Sequence, residues 1–386
     1  MRLFSAALVF LPVLLLAGRF AAAQKNKPAA AVNPRAQQPP AVSPEVHADG
    51  SVTFRFRAPN ALVVKLALEG ADLLAMQKDE LGVWSVTTAP LAPDIYGYAI
   101  VVGGVRLIDP ANNWLKPNLL DTENLVHVPG PASLPWEMND VPHGVIHHHF
   151  YKSTVARDER DYYVYTPPGY GGSNKQKFPV LYLLHGFSDD ASGWTSVGRA
   201  NVIFDNLIAQ GKAKPMVVVM PLGYGTMEII QKGWSSWRDT ELRDRNFARF
   251  TFALLSEVMP QAESEYRVSR NRNARAIAGL SMGGSESLLT GLNHLDKFSW
   301  IGAFSSGGLP EAFNKDFPAL DARANGQIRL LWIACGTEDQ VIGNTRNFRL
   351  WLTSKGVKHS DVETPGMHTW MVWRRNLAEF AGLLFR

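Results

Sequence analysis

The sequence predicts an α/β chain, a mainly parallel sheet covered by helices on both faces, preceded by a smaller all-β sandwich. Three observations predict it. Between residues 179 and 385, short apolar runs alternate with stretches of helical spacing, the order that strand–helix–strand units produce. Between residues 45 and 130 the hydrophobic period is two, over short runs separated by turn residues, which argues a small antiparallel sandwich. The third is the stretch Arg275-Ala-Ile-Ala-Gly-Leu-Ser-Met-Gly-Gly, a strand-like run that passes straight into G-x-S-x-G. At 386 residues, 46% hydrophobic and 19% charged, the chain is long enough for two globular domains. A net charge of +4 gives nucleic-acid binding no support.

The first 23 residues carry Arg2, an apolar run over 6–17, and Ala21-Ala22-Ala23 before Gln24. That is the pattern of a secretory signal with an A-x-A site, so a secreted or periplasmic mature chain is expected to begin near Gln24. The apolar run is shorter than the ~20 residues of a spanning helix and contains Pro12, so no membrane attachment is expected after cleavage. Cys335 is the only cysteine, which leaves the exported protein without an internal disulfide. Residues 24–44, rich in Ala, Pro and Gln, have too little apolar surface to fold and read as a tether.

Strands are predicted at 52–57, 63–68, 83–87 and 96–101, divided by Asp49-Gly50, Pro59-Asn60 and Ala92-Pro93-Asp94. Trp84 and Trp114 have faces suited to a sugar ring, but a strand tryptophan is more often core, so a packing role is expected for residues 45–130. Residues 131–142, with Pro131 and Pro135, read as the crossing to a second domain over 143–386. That domain opens with strands at 145–151 and 162–165. His147, His148 and His149 invite a metal reading, yet only the first and third share a strand face and no further ligand sits at metal-site spacing; a solvated face without metal is expected. The run 179–187 is apolar as far as Leu184, as in a strand buried on both faces. A helix over 201–210, a strand over 216–221 and a long helical segment over 246–266 that contains Pro260 lead to the strand 274–278. Strands at 300–304 and 329–334 and helices at 345–355 and 370–385 complete the order.

Ser281 is the candidate nucleophile, since Gly279 and Gly283 permit the sharp strand-to-helix turn that exposes its hydroxyl above a sheet. A serine hydroxyl needs a base, an acid to orient that base, and oxyanion donors. Thr337-Glu338-Asp339 follows a strand, where ligand and catalytic groups gather in open α/β sheets. Asp339 is favoured over Glu338 because its shorter side chain holds an imidazole more rigidly. Beyond this acid lie only His359 and His368, and His368, after the short strand-like run 362–364, is placed to reach the serine. Met282 and Phe187 N–H groups are the candidate oxyanion donors, with His185 a structural loop residue. Trp194, Tyr224, Trp234, Trp237 and Trp370 fall in loops that would line an aryl or sugar pocket.

Tyr165-Thr166-Pro167-Pro168-Gly169-Tyr170, Leu184-His185-Gly186 with Trp194 downstream, Gly279-Leu280-Ser281-Met282-Gly283-Gly284, the loop 336–339, and His368 before Trp370, Trp373 and Arg374 together resemble the esterase group that contains carbohydrate esterase family 1. That group includes feruloyl and acetyl xylan esterases. The resemblance implies the α/β-hydrolase fold, Ser281, Asp339 and His368 as the catalytic set, and neither metal nor organic cofactor. Gly82-Val83-Trp84, Tyr96-Gly97-Tyr98 and Asp109-Pro110 resemble the early-set, immunoglobulin-like domains that precede catalytic domains in some polysaccharide esterases. A mild departure is Thr369, where an acidic or small residue is more usual. The expected partner is a feruloylated or acetylated plant polysaccharide or oligosaccharide, and the expected function is that of a secreted serine esterase that releases its hydroxycinnamoyl groups, such as ferulate, through an acyl-enzyme on Ser281. An acetyl xylan esterase, an enterochelin-type siderophore esterase, an acyltransferase and an inactive sugar-binding protein are the alternatives, and the sequence leaves oligomeric state open.

Overall fold

Eight strands build the sheet that carries the site in the computed structural model, which describes residues 41–172 and 176–386. The predicted leader and most of the predicted tether lie outside the described residues. The strands are β1 (Val145–Lys152), β2 (Glu159–Thr166), β3 (Val180–Leu184), β4 (Val217–Pro221), β5 (Arg275–Leu280), β6 (Trp300–Phe304), β7 (Leu330–Gly336) and β8 (Ser360–Thr364). Their spatial order is β1-β2-β4-β3-β5-β6-β7-β8. The first two pair antiparallel and the rest of the sheet, from β4 onwards, is parallel. Strands β3 to β6 are buried at every position, because helices cover both faces and continuous apolar runs such as Val180-Leu-Tyr-Leu-Leu have no solvent side to satisfy. This is the α/β-hydrolase fold.

The helix predicted around Pro260 is interrupted. It runs as α-helix over Thr240–Ala253, widens into a π turn over Leu254–Val258, and resumes over Met259–Glu265. Proline has no N–H to donate and its ring crowds the carbonyl four residues back; the wider turn just before it absorbs both defects, and Pro260 falls in the first turn of the final segment.

In front of this sheet, two antiparallel sheets form a sandwich. One has the order Glu45–Val46, Val52–Arg57, Val83–Thr87, Gln77–Lys78; the other has Leu74–Ala75, Val64–Leu68, Asp94–Val102, Glu123–Val128, Leu115–Lys116, with Val105–Leu107 added on Asp94–Val102. Phe54, Leu66, Trp84, Tyr98 and Val126 fill its interior. Trp84 is core, its indole N–H donating to Ala58 O.

Alternation along residues 96–101 predicts one exposed face, but Asp94–Val102 is buried from its first residue to Ile100. The reason is a neighbour: Ile95 and Leu125 belong to the same apolar cluster as Trp373, Leu377 and Phe380 of the C-terminal helix Trp370–Leu383. Arg374 of that helix is fully buried. Its Nε donates to Asp94 Oδ1 at 2.9 Å, another guanidinium N–H to Val197 O at 2.8 Å, and a third to Ile95 O. Residues 41–386 therefore form one compact unit.

The expected solvated histidine face needs correcting. His149 hydrogen-bonds Tyr266 Oη at 2.6 Å and stacks on Tyr162, and His147 hydrogen-bonds Thr166 Oγ1. Both rings are half-buried because the segment after the broken helix folds over β1. Among the described residues, no group of three or more His, Cys, Asp and Glu is placed to hold a metal ion.

Candidate active site

Ser281 stands between the end of β5 and the helix Met282–Asn293, at φ 49° and ψ −116°. A non-glycine residue avoids positive φ unless its surroundings fix it. Here the Ser281 N–H donates to Phe304 O at 2.8 Å, and the Ser281 carbonyl accepts from Gly307 N–H at 2.9 Å and Ser285 N–H at 3.2 Å. The flanking glycines are required by space. A Cβ at Gly279 would lie 2.4 Å from Gly283 O, and one at Gly283 would lie 2.5 Å from His185 O and 2.6 Å from Leu184 O. Strand, helix and the loop after β3 meet closely enough that only hydrogen fits.

His368 Nε2 lies 2.9 Å from Ser281 Oγ, and His368 Nδ1 lies 2.8 Å and 3.0 Å from the two oxygens of Asp339. The carboxylate side chain is fully buried and the imidazole keeps 22% exposure, so the acid is shielded while the base still faces the cleft. Burial by itself raises the Asp339 carboxyl, but the His368 hydrogen bond and charge, the Val341 N–H and the Ser305 hydroxyl outweigh it and hold the carboxyl below its usual range. An anion here fixes the tautomer with Nδ1 protonated and Nε2 free to accept the serine proton.

Glu338 is exposed and does something else. Its Oε2 accepts from Gly366 N–H at 2.6 Å while its own N–H donates to Gly366 O at 3.1 Å, tying the acid loop to the histidine loop. His359 binds Val357 O and Asp361 and stays away from the serine. Cys335 is buried, and burial pushes its thiol up to about 11, as expected of a small core residue.

Opposite His368 runs the loop after β3. His185 is buried and structural: its Nε2 accepts from Gly223 N–H at 2.8 Å, which leaves the proton on Nδ1 for Gly186 O. Among the described residues, neither Phe187 N–H nor Met282 N–H has a hydrogen-bond acceptor, the condition of donors kept free for a developing anion. The Phe187 ring packs edge-on against Trp234 and Trp237, each at 5.0 Å.

These groups lie on a cleft of about 610 Å³ whose walls include Trp234, Trp237, Trp370 and Trp373. Trp234 is 59% exposed, and its indole N–H donates to Asp121 Oδ2 of the sandwich side at 3.2 Å. Two expected pocket residues are core instead. Trp194 is 1% exposed, donates to Leu184 O and packs edge-on against Trp370; helix Gly193–Ser196 turns it inward under the sheet end. Tyr224 is fully buried and its hydroxyl donates to Asp189 O at 2.8 Å, supporting the β3 loop from behind. Trp370 lines the cleft while almost wholly buried.

Sequence reasoning missed the sandwich's share of this cleft. Glu69, Arg106, Lys116, Asn118, Asp121 and Glu123 all line it, and nothing in their local sequence marks them, since they reach the serine only through packing. Lys116 Nζ pairs with Glu123 at 2.9 Å. Burial works against its charge, but the carboxylates of Glu69, Glu123 and Asp189 outweigh that and raise its affinity for the proton.

The model of the family described as "Putative esterase" matches residues 153–383. Over 361 residues the chain is 30% identical to an endo-1,4-beta-xylanase/feruloyl esterase of Xylanibacter ruminicola, which covers 90% of this chain and 47% of that protein; the chain thus spans about half the length of that relative. A carbohydrate esterase family 1 ferulic acid esterase from Anaeromyces mucronatus, solved in complex with ferulic acid, superposes with TM-score 0.55 at 26% identity, over 66% of this chain and 96% of that one. The enterobactin esterase of Shigella flexneri, solved in the presence of enterobactin, gives TM-score 0.64 at 18% identity over 86% of this chain and 92% of that one, a likeness of fold that is too extensive for residues 143–386 alone. With the family match spanning more than half of its length and the Ser281 elbow at its centre, the chain belongs to this esterase family.

Proposed function

We propose that the protein is an exported serine carboxylic ester hydrolase that releases hydroxycinnamoyl groups such as ferulate from plant cell-wall polysaccharide. The observation that carries this reading is the hydrogen-bonded line Asp339–His368–Ser281 set in a cleft walled by four tryptophans. Ser281 Oγ attacks the ester carbonyl as His368 Nε2 takes its proton, and Met282 and Phe187 N–H groups receive the oxyanion. Collapse breaks the ester C–O bond, His368 returns the proton to the sugar alkoxide, and an acyl-enzyme remains on Ser281. Water then repeats the sequence with His368 as base, releasing the acid. The tryptophan walls suit a planar aryl ring.

Charge on the cleft bears on the siderophore alternative. Its lining carries three carboxylates, Glu69, Asp121 and Glu123, and Asp189, whose carboxyl burial pushes up to about 7, against three cations, Arg106, Lys116 and Arg243, and two of those cations are paired with Glu123. That balance offers no positive field for an anionic catecholate and suits a neutral sugar leaving group.

The test uses esters with one leaving group. Methyl ferulate should be turned over with a higher kcat/KM than methyl acetate, and Ser281→Ala should abolish both. Preference for the acetate ester would replace this reading by an acetyl xylan esterase; full activity in pure Ser281→Ala would end it.

A further inference from the structure

We propose that the front sandwich sets the oxyanion loop, with Asn118 as the positioning residue. The proposal rests on the reading of Phe187 N–H as an oxyanion donor. Ser188, the next residue, has φ 70°, a left-handed conformation that a non-glycine residue keeps only when its surroundings hold it there. What holds it comes from the other domain. Leu119 N–H donates to Ser188 O at 2.7 Å, and Asn118 Nδ2 donates to Ser188 Oγ at 2.9 Å, with Asp189 Oδ1 at 3.4 Å from the same nitrogen. Both oxygens of the left-handed residue are therefore satisfied by two consecutive residues of the sandwich.

Asn118 is itself rigid, because its Oδ1 accepts from Leu120 N–H at 3.0 Å and Asp121 N–H at 2.9 Å. The amide thus faces two ways, its oxygen closing its own turn and its nitrogen reaching the catalytic loop. The hydrolase side of that loop is held by Tyr224 Oη on Asp189 O and by the Asp189 N–H on Gly186 O. Phe187 N–H lies in the chain between these two sets of restraints, and an oxyanion donor acts only when it is held in place. Glu69 makes a parallel contact, accepting from Trp370 N–H at 2.8 Å two residues after His368 while its other oxygen accepts from Gly97 N–H.

The two-way amide supplies its own test. In Asn118→Asp combined with Ser188→Ala a carboxylate still accepts from the Leu120 and Asp121 N–H groups, and no hydroxyl remains at residue 188 to donate to it. The loop loses its side-chain restraint while the turn and the Leu119 N–H bond to Ser188 O stay. With methyl ferulate, kcat should fall about 10–100-fold, toward the loss seen when one oxyanion donor is removed, with KM changed less than about two-fold. The inhibition constant of an aryl boronic acid, whose tetrahedral adduct on Ser281 places an oxygen in the oxyanion position, should rise by the same factor, and the dissociation constant of free ferulate should not move. Ser188→Ala alone removes the same hydrogen bond and should show the same split, which keeps the test decisive if the double variant folds poorly. Unchanged kcat in a folded variant, or a kcat loss with unaltered boronate affinity, overturns the proposal. Wild-type protein that forms no boronate adduct overturns the serine-esterase reading itself, a distinguishable failure.

Discussion

At the scale of single residues, Asp339 and Glu338 are neighbours with opposite duties. Asp339 is buried against His368 Nδ1, whereas Glu338 faces solvent and fastens Gly366. Asp339→Asn keeps the shape but presents an amide to the imidazole, favouring the wrong tautomer; kcat on methyl ferulate should fall about 10⁴-fold. Glu338→Gln keeps an oxygen for the Gly366 N–H and should retain kcat within about ten-fold. Steady-state kinetics on the two purified variants decides, and a reversed ranking would reassign the acid. Tryptophan identity was less legible than this pair. Trp194 and Trp234 look alike in sequence, each in a loop after a strand, yet one is 1% and the other 59% exposed. An indole serves core and cleft equally well, so its direction depends on how the short helix beneath it turns.

At the scale of elements, the turn from β5 into helix Met282–Asn293 was legible because its glycines and serine are contiguous. Spacing alone could name the turn; the distances explain it, since the absent Cβ of Gly283 would overlap two carbonyl oxygens. Gly283→Ala should therefore push the helix off β3 and tilt Ser281 away from His368. A destabilisation of about 1–3 kcal/mol is expected from such overpacking, with a drop in kcat of about 10²-fold from the displaced nucleophile. Urea denaturation and single-turnover acylation measure the two parts, and normal acylation would show that the helix absorbs the methyl elsewhere. The broken helix before β5 shows the limit of periodicity, because apolar spacing continues through Pro260 while the backbone widens to a π turn at Leu254–Val258.

At the scale of the whole molecule, sandwich and hydrolase share a core through Ile95 and Leu125 and through the buried Arg374–Asp94 pair at 2.7 Å. Removing one partner of a buried ion pair strands the other charge. Asp94→Ala should therefore cost about 3–5 kcal/mol, and Asp94→Leu combined with Arg374→Met should recover most of it. Equilibrium denaturation of both variants tests this; a small loss in Asp94→Ala would mean that Arg374 is held by its carbonyl partners alone. The same interface brings Glu69, Lys116 and Asn118 to the cleft, so the front sandwich completes the wall around Ser281.

The sequence by itself determined the alternation that makes a parallel sheet, the elbow that exposes Ser281, and the order of acid and histidine behind it. Each of these is written in contiguous residues whose spacing obeys local sterics, a period of two or 3.6, a glycine where no Cβ fits, a carboxylate at a strand end. Only the tertiary structure decided that Trp194 and Tyr224 are buried, that His149 packs on Tyr266, and that Asn118 reaches Ser188 across 70 residues. Such contacts join residues whose separation along the chain carries no periodicity. They exist because two domains bury a common apolar surface, and the polar groups at its edge must then find partners in each other.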